Sequence, residues 1–280
     1  MPEGHTLHRL AGELDRTFVG HVVRVRSPQG RFADSAALLD GQVLEGAEAW
    51  GKHLFVAFPG DRFVHVHLGL YGKLDVRDDV DEVPDPIGQV RLRLVRGDGA
   101  AYADLRGATA CELMTLAERA AVIARSGPDP IRPDADPALG WERIRRSKVA
   151  VGALLMDQSV LAGVGNVYRA EVLFRHRIDP FRPGSTLRRG QWRAMWDDLV
   201  ELMAEGVRTG RIDTVRPEHT PEAMGRPPRK DDHGGEVYVY RRHAQPCLVC
   251  GTAVRTEVMQ GRNLFWCPRC QRRYRPRPVG

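Results

Sequence analysis

The sequence predicts an α+β fold: an N-terminal helix plus an antiparallel β-sandwich, then a helical domain, then a small β-hairpin zinc finger. Three observations carry this. Between His21 and Tyr102, short apolar–polar alternations are separated by glycine and proline turns. Beyond the proline-rich, acidic stretch Pro128 to Pro137, apolar residues recur at helical spacing. Near the C-terminus stand two Cys-x-x-Cys pairs sixteen residues apart. The implied domains are 1–127, 128–236 and 237–280.

Leu7, Leu10, Ala11, Leu14 and Phe18 share one face of the first helix. His21 to Arg26 alternates as a strand, Asp34 to Leu39 reads as a short helix, and Leu54 to Phe58 reads as a buried strand after the turn Trp50-Gly51-Lys52-His53. In the next strand Val64, Val66 and Leu68 face one way, and His65 and His67 the other. Gly69-Leu70-Tyr71-Gly72 interrupts that strand. Val90, Leu92 and Leu94 then alternate with Gln89, Arg91 and Arg93. In the helical part, Trp141 to Ser147 is a short helix, and Val151, Leu154, Leu155 and Gln158 lie on one face of a second. Leu161-Ala162-Gly163-Val164-Gly165-Asn166 is a tight turn, with Asn166 the expected N-cap of a helix over 167–175. Trp192, Met195, Trp196, Leu199, Leu202, Met203 and Val207 mark a long amphipathic helix. Residues 211–236, with four prolines and two adjacent glycines, read as an irregular or mobile connector.

The net charge of +6 is unevenly placed. Residues 237–280 hold nine arginines and one acid, Glu257, so the rest of the chain is slightly acidic. An arginine-rich module of this size suits a polyanion, nucleic acid above all. No run of 18 apolar residues and no charged-then-apolar leader pattern is present, so the expectation is a cytoplasmic, nucleoid-associated protein with no membrane span. Five cysteines without a leader argue against disulfides. Cys247, Cys250, Cys267 and Cys270 have the spacing of a closed four-sulfur zinc site, which is structural because it leaves no open position. Strands are expected over 254–259 and 263–266, with Gln260-Gly261-Arg262 at the turn. Cys111 reads as a small buried hydrophobe.

The start of the chain admits two readings. Pro2 and Glu3 suit an ordinary helix start. If Met1 is removed, as is normal before proline, Pro2 becomes a free secondary amine. Such a terminal amine has a pKa of about 7.7–8.0, and the positive end of a helix depresses it further. Glu3 would then be an acid/base group beside a nucleophile. The glycine turn before Asn166 likewise reads either as helix punctuation or as a cluster of backbone N–H groups for phosphate.

Taken in order, Pro2-Glu3-Gly4, Gly51-Lys52, His67 with Leu70-Tyr71-Gly72, Asp157-Gln158 with the turn through Asn166, and the four-cysteine finger containing Arg262 resemble the formamidopyrimidine-DNA glycosylase/endonuclease VIII family of base-excision repair. The resemblance is closest to its actinobacterial endonuclease VIII-like branch. It spans nearly the whole chain, least clearly over 76–140 and 209–236. It implies a helix-two-turn-helix domain, one structural zinc per chain, a monomer, and double-stranded DNA with oxidised bases or abasic sites as substrate. It further implies that the Pro2 amine attacks C1′ of a flipped nucleotide while Glu3 moves the proton that opens the sugar, followed by β,δ-elimination. Lys52 would assist, and Arg262 would hold a phosphate and support the second elimination. His67, Asn166, Gly163 and Gly165 would line the flanking phosphates, and Leu70 and Tyr71 would fill the vacated stack. Two departures stand out. The endonuclease VIII pattern places glutamine directly before the Leu-Tyr pair, where this chain has Gly69. The formamidopyrimidine branch uses a methionine with a distant arginine and phenylalanine; Arg106 stands in a comparable place without the phenylalanine. Leu70-Tyr71 points to oxidised pyrimidines. The rival readings are a non-catalytic DNA-binding or damage-sensing protein, which would have no use for Pro2-Glu3, and a zinc-ribbon factor of transcription or translation.

Overall fold

The computed structural model describes residues 2–230 and 235–275. The chain forms two compact units, Met1–Arg125 and Ser126–Gly280.

The first unit opens with α1 (Gly4–Phe18), followed by β1 (Val22–Arg26), α2 (Ala33–Leu39), β2 (Gln42–Val43), β3 (Gly46–Trp50), β4 (His53–Phe58), β5 (Arg62–His67), β6 (Lys73–Arg77), β7 (Val90–Arg96), β8 (Tyr102–Arg106), β9 (Ala110–Thr115) and α3 (Leu116–Arg125). The strands build two sheets, ordered β2-β1-β7-β8-β6 and β3-β4-β5-β9, with antiparallel pairing throughout. Period-2 alternation puts Val23, Val25, Leu92, Leu94 and Leu105 from one sheet, and Leu54, Val56, Phe58, Val64 and Val66 from the other, into one core. Leu7, Leu10, Leu14 and Phe18 of α1 join the same core, and Cys111 is buried in it as expected.

Arg93 departs from the alternation expected of it. It is buried and forms a bidentate pair with buried Asp104, at 2.7 and 2.8 Å. Arg106 shares the same carboxylate at 2.8 Å and also reaches Asp75. A buried guanidinium is tolerated because a carboxylate directly across the strand pair answers it.

The second unit contains α4 (Pro137–Ile144), α5 (Val151–Leu154), α6 (Asn166–Arg175), α7 (Arg189–Thr209), α8 (Pro221–Met224), β10 (Arg255–Met259) and β11 (Arg262–Trp266). Three boundaries differ from the sequence reading. The helix α4 starts earlier, because Asp136 caps it through Ala138 N–H and Pro137 suits its first turn. The second helix is a single turn, since the chain leaves it at Leu155 for the tight turn. Gln260 and Gly261 form a two-residue turn with both φ values positive, the primed type that matches strand twist. Arg262 is therefore the first residue of β11, opposite Met259, and not part of the turn.

The finger is not a separate body. Cys247, Val254, Phe265 and Cys267 share one core with Leu161, Val167, Leu173, Trp192 and Met203. Glu171 of α6 is fully buried and joins the two parts. Its carboxylate accepts from the backbone N–H groups of Tyr238 (2.7 Å), Val239 (2.8 Å) and Tyr240 (2.9 Å) and from the Thr214 hydroxyl (2.6 Å). The connector is irregular but anchored. Thr214 N–H donates to Glu236 O and Gly235 N–H to Ile212 O, so its two ends are pinned together. Glu236 also holds Arg226 and the Arg229 N–H, each at 2.6 Å. Part of the connector, 231–234, lies outside the described residues.

Glutamine at position 171 would turn one acceptor into an NH2 group facing a backbone N–H. Glu171→Gln is expected to cost the second unit about 3 kcal/mol. Urea unfolding followed by tryptophan fluorescence checks this, since Trp141, Trp192, Trp196 and Trp266 all lie in that unit.

Candidate nucleic-acid site and metal centre

The residues singled out from the sequence fall into one group on each unit. On the first, Pro2 and Glu3 precede α1, which begins at Gly4. Glu3 is the N-cap by position, yet its side chain makes no capping bond, and it is fully buried. The helix-start reading therefore accounts for the backbone of Glu3, whose O accepts from Thr6 N–H at 2.9 Å, and does not call for the burial of its carboxyl. Met1 lies outside the described residues.

The helix α1 packs on β3 and β4. The two-residue turn joining those strands, Gly51-Lys52, carries the lysine, with Trp50 and His53 paired on either side. His67 ends β5. Burial lowers its pKa first, and then the charges of His65 and Lys52, so lysine and histidine feel one another. Alongside lies a group the sequence reading did not connect. His53 Nδ1 is 2.9 Å from His65 Nε2, and His65 Nδ1 is 2.9 Å from Glu112 Oε1. The signal was present as histidines 53, 65 and 67 in adjacent strands, but only pairing register shows that they share a face.

Leu70 and Tyr71 form the tip after β5, and Tyr71 is 85% exposed. Gly72 N–H donates to Leu68 O at 3.0 Å, closing the turn. Gly69 has φ +68°, and a Cβ there would lie 1.8 Å from Thr109 Oγ1. The tip thus packs against the loop after β8 so closely that this backbone excludes the glutamine of the endonuclease VIII pattern. Arg106, at the end of β8, is spent on Asp75, Asp104 and the Ile87 carbonyl.

On the second unit the tight turn is held from inside. Gln158 accepts from Gly163 N–H at 3.0 Å and donates to Val164 O at 2.9 Å. Gly163 therefore contributes the shape of the turn, its N–H being used within it. The N-cap of α6 is Gly165, and Asn166 is the first helical residue. This corrects the expected cap, because the Asn166 amide is drawn elsewhere. It donates from Nδ2 to Asn263 O at 3.0 Å and accepts from the buried Arg169 guanidinium. Asn166 is thereby tied to the residue next to Arg262, so the helix start and the finger arginine are brought together.

The four cysteine sulfurs lie within 4.8 Å of one another. Cys247 and Cys270 are 3.9 Å apart and Cys250 and Cys267 3.5 Å. A tetrahedral zinc with sulfur at about 2.3 Å needs edges of roughly 3.8 Å. The donor set fits one structural zinc ion, with Cys247 and Cys267 buried in the unit's core and Cys250 and Cys270 half-buried against it.

Family models agree with this layout. The model described as the formamidopyrimidine-DNA glycosylase N-terminal domain matches residues 1–111, and that of the formamidopyrimidine-DNA glycosylase H2TH domain matches 126–217. The zinc finger found in FPG and IleRS matches 244–273. Endonuclease 8 1 of Mycobacterium tuberculosis is 55% identical over 274 residues, covering 97% of this chain and 100% of that protein. The chain belongs to the formamidopyrimidine-DNA glycosylase/endonuclease 8 family. Within it, formamidopyrimidine-DNA glycosylase of Geobacillus kaustophilus is 32% identical, with 89% of this chain and 88% of that protein covered. The MutM (Fpg) structure from Thermus thermophilus superposes with a TM-score of 0.74 at 27% identity, covering 96% of this chain and 98% of that one. Lactococcus lactis Fpg in complex with DNA shares the fold at a TM-score of 0.77 and 22% identity, covering 97% of this chain and all of that one.

Two predictions follow from the geometry of this family member. Cys267→Ser is expected to lower the melting transition of the second unit and to leave that of the first, because Cys267 belongs to the second core; scanning calorimetry resolves the two. The second concerns acid. Burial lowers the His53 and His5 pKa values from 6.5 to about 4. Below pH 6.5 the unfolded chain binds protons that the folded chain refuses, so the stability these histidines contribute is lost from pH 6.5 to about 4 and their share is constant beneath. Each histidine contributes at most roughly 3 kcal/mol to this loss. His53→Phe should shrink the difference between urea midpoints at pH 7.0 and 4.5.

Proposed function

We propose that this family member is a bifunctional DNA glycosylase and AP lyase that releases oxidised bases, pyrimidines favoured, with the Pro2 amine as nucleophile. The observation that carries this is Glu3: a fully buried carboxyl directly after Pro2, at a helix start, that makes no capping bond. A carboxyl buried directly beside the N-terminal amine is placed to act as its acid/base partner. The names of the relatives, endonuclease 8 and formamidopyrimidine-DNA glycosylase, support the same activity.

In this reading Met1 is removed and the Pro2 nitrogen bonds to C1′ as the C1′–base bond breaks. Glu3 transfers the proton that opens the sugar ring. A secondary amine gives an iminium cation without further protonation. The C2′ proton passes to a solvent base while its bonding electrons move toward the iminium, and the 3′ phosphate and then the 5′ phosphate leave by successive β- and δ-elimination. Lys52 assists at this site. Arg262 holds a flanking phosphate and supports the second elimination, and Asn166, after the turn that Gly163 and Gly165 shape, holds another, an assignment favoured by the positive end of α6. His67 takes a neighbouring phosphate. Leu70 and the exposed Tyr71 enter the stack. The substrate is duplex DNA, the protein acts as a monomer, and a cytoplasmic, nucleoid-associated place follows from that substrate. Among the described residues no helix is long and apolar enough to cross a membrane.

Borohydride should trap a covalent complex between the Met1-free protein and DNA carrying an abasic site. Pro2→Gly and Glu3→Gln should abolish base release from a thymine-glycol duplex while leaving DNA binding within a fewfold. Protein that retains Met1 should bind and not cut. Absence of any trapped complex with the processed wild type would sink the enzymatic reading and leave the damage-sensing one.

A further inference from the structure

His53, His65 and His67 occupy the face of the β4–β5 pair opposite the hydrophobic core. Phe55 pairs with His65 across the strands, and His65 pairs with Glu112 of β9. The rings of His53 and His65 are stacked with centroids 5.1 Å apart, and His67 lies 5.3 Å from His53. His65 is 4% exposed, whereas the Glu112 side chain is 54% exposed. A carboxylate accepts and does not donate. The His65 nitrogen facing Glu112, Nδ1, therefore carries the hydrogen, and Nε2 of a neutral His65 is bare. A bare Nε2 accepts, so the His53 nitrogen 2.9 Å away, Nδ1, must carry the next hydrogen. That leaves Nε2 of His53 without one.

We propose that Glu112, His65 and His53 are positioning residues that form a tautomer-setting chain behind Lys52 and His67, holding His53 neutral with Nε2 as a hydrogen-bond acceptor. The charges around His53 come from every element packed on this face: Lys52 on the β3–β4 turn, His65 and His67 on β5, Glu112 on β9 and Arg125 on α3. Arg119 of α3 lies over the Phe55 and Phe63 rings and is paired with Glu48 of β3. Lys52 and Arg125 are cationic, and His65 and His67 become so on protonation, so a further cation at His53 is disfavoured. Burial, the largest cause, lowers its pKa to about 4 in agreement. A neutral ring with a fixed acceptor can take an N–H from the Lys52 ammonium or from a water, and it can do so without adding charge beside the lysine. The orienting partner of a working imidazole sets which nitrogen is bare.

The functional part of this inference rests on the lyase reading given above; the tautomers do not. Two measurements keep them apart. Long-range 15N-edited spectra of the whole protein at pH 7 should show His53 and His65 both as Nδ1–H tautomers. In Glu112→Leu the His53 signal should become a mixture, while Glu112→Gln, whose amide oxygen still accepts, should retain the wild-type pattern. Finding His53 as the Nε2–H tautomer in the wild type would overturn the chain whatever the activity. In single-turnover cleavage of abasic-site DNA at saturating protein, Glu112→Leu should be slower by about tenfold at unchanged Kd, with its acid limb displaced. Glu112→Gln should stay within about twofold. Equal losses in both variants, a wild-type rate for Glu112→Leu, or a loss confined to Kd would each overturn the positioning role. A wild type that cleaves nothing would refute the lyase reading while the spectra still decide the tautomers.

Discussion

One buried carboxylate governs the second unit. Glu171 faces three consecutive backbone N–H groups, at Tyr238, Val239 and Tyr240, and a threonine hydroxyl. Any strand or helix would have to supply these donors with partners of its own, yet the segment is neither. The carboxylate replaces a whole ladder of backbone bonds and fixes the path by which the chain enters the finger. Downstream of it, Tyr240 packs against Phe265, Asn263 accepts from Asn166, and Arg262 takes its place beside α6. The zinc site closes a hairpin that is also fixed in place by its contacts with α6. This is why a finger of 44 residues, too small for a core of its own, shares that of the helices.

Much of this architecture was legible in the residues. Strand alternation and leucine spacing located the sandwich and α1, and the cysteine spacing located the metal. Order of motifs identified the family, and that resemblance also pointed to the zinc finger and the helical domain. What escaped was polar and long-range. Arg93 reads as an outward residue in a period-2 strand, and only the cross-strand partner Asp104 makes its burial affordable in energy. Gln158 reads as one position of a helical face, whereas its amide actually closes the turn on both sides. Asn166 has the ideal chemistry for a cap, and a partner 97 residues away outcompetes the local bond. Propensity is a local quantity, and each of these outcomes was decided by a group distant in sequence.

The candidate site shows the same division. Pro2, Glu3, Lys52 and Arg262 were visible as residue types in order. The chain Glu112–His65–His53 was invisible, because nothing in the spacing of 53, 65 and 112 marks a common face until the strands are in register. Gly69 is instructive in another way. As a letter it is a departure from its branch of the family. In the fold it is one half of a contact with Thr109, since a left-handed backbone and a space with no room for Cβ coincide there. A change at either position alone would disturb the tip.

The pinned base of the connector has a consequence for how such a protein can diverge. Residues 212–214 and 235–236 are stitched to each other before the chain reaches the finger. The stretch between them has fixed ends, and doubling the length of a flexible segment with fixed ends costs only about 0.6 kcal/mol in closure entropy. Insertions at the exposed residues 222–225 would leave the Thr214–Glu236 stitch, the buried Glu171 and the metal centre in place, whereas Arg216, His219, Arg226 and Arg229 are held to Tyr238 and Glu236. Sequence drift can therefore accumulate at those exposed positions at little cost to folding, which makes them a place where the scaffold can change its surface without first losing its stability.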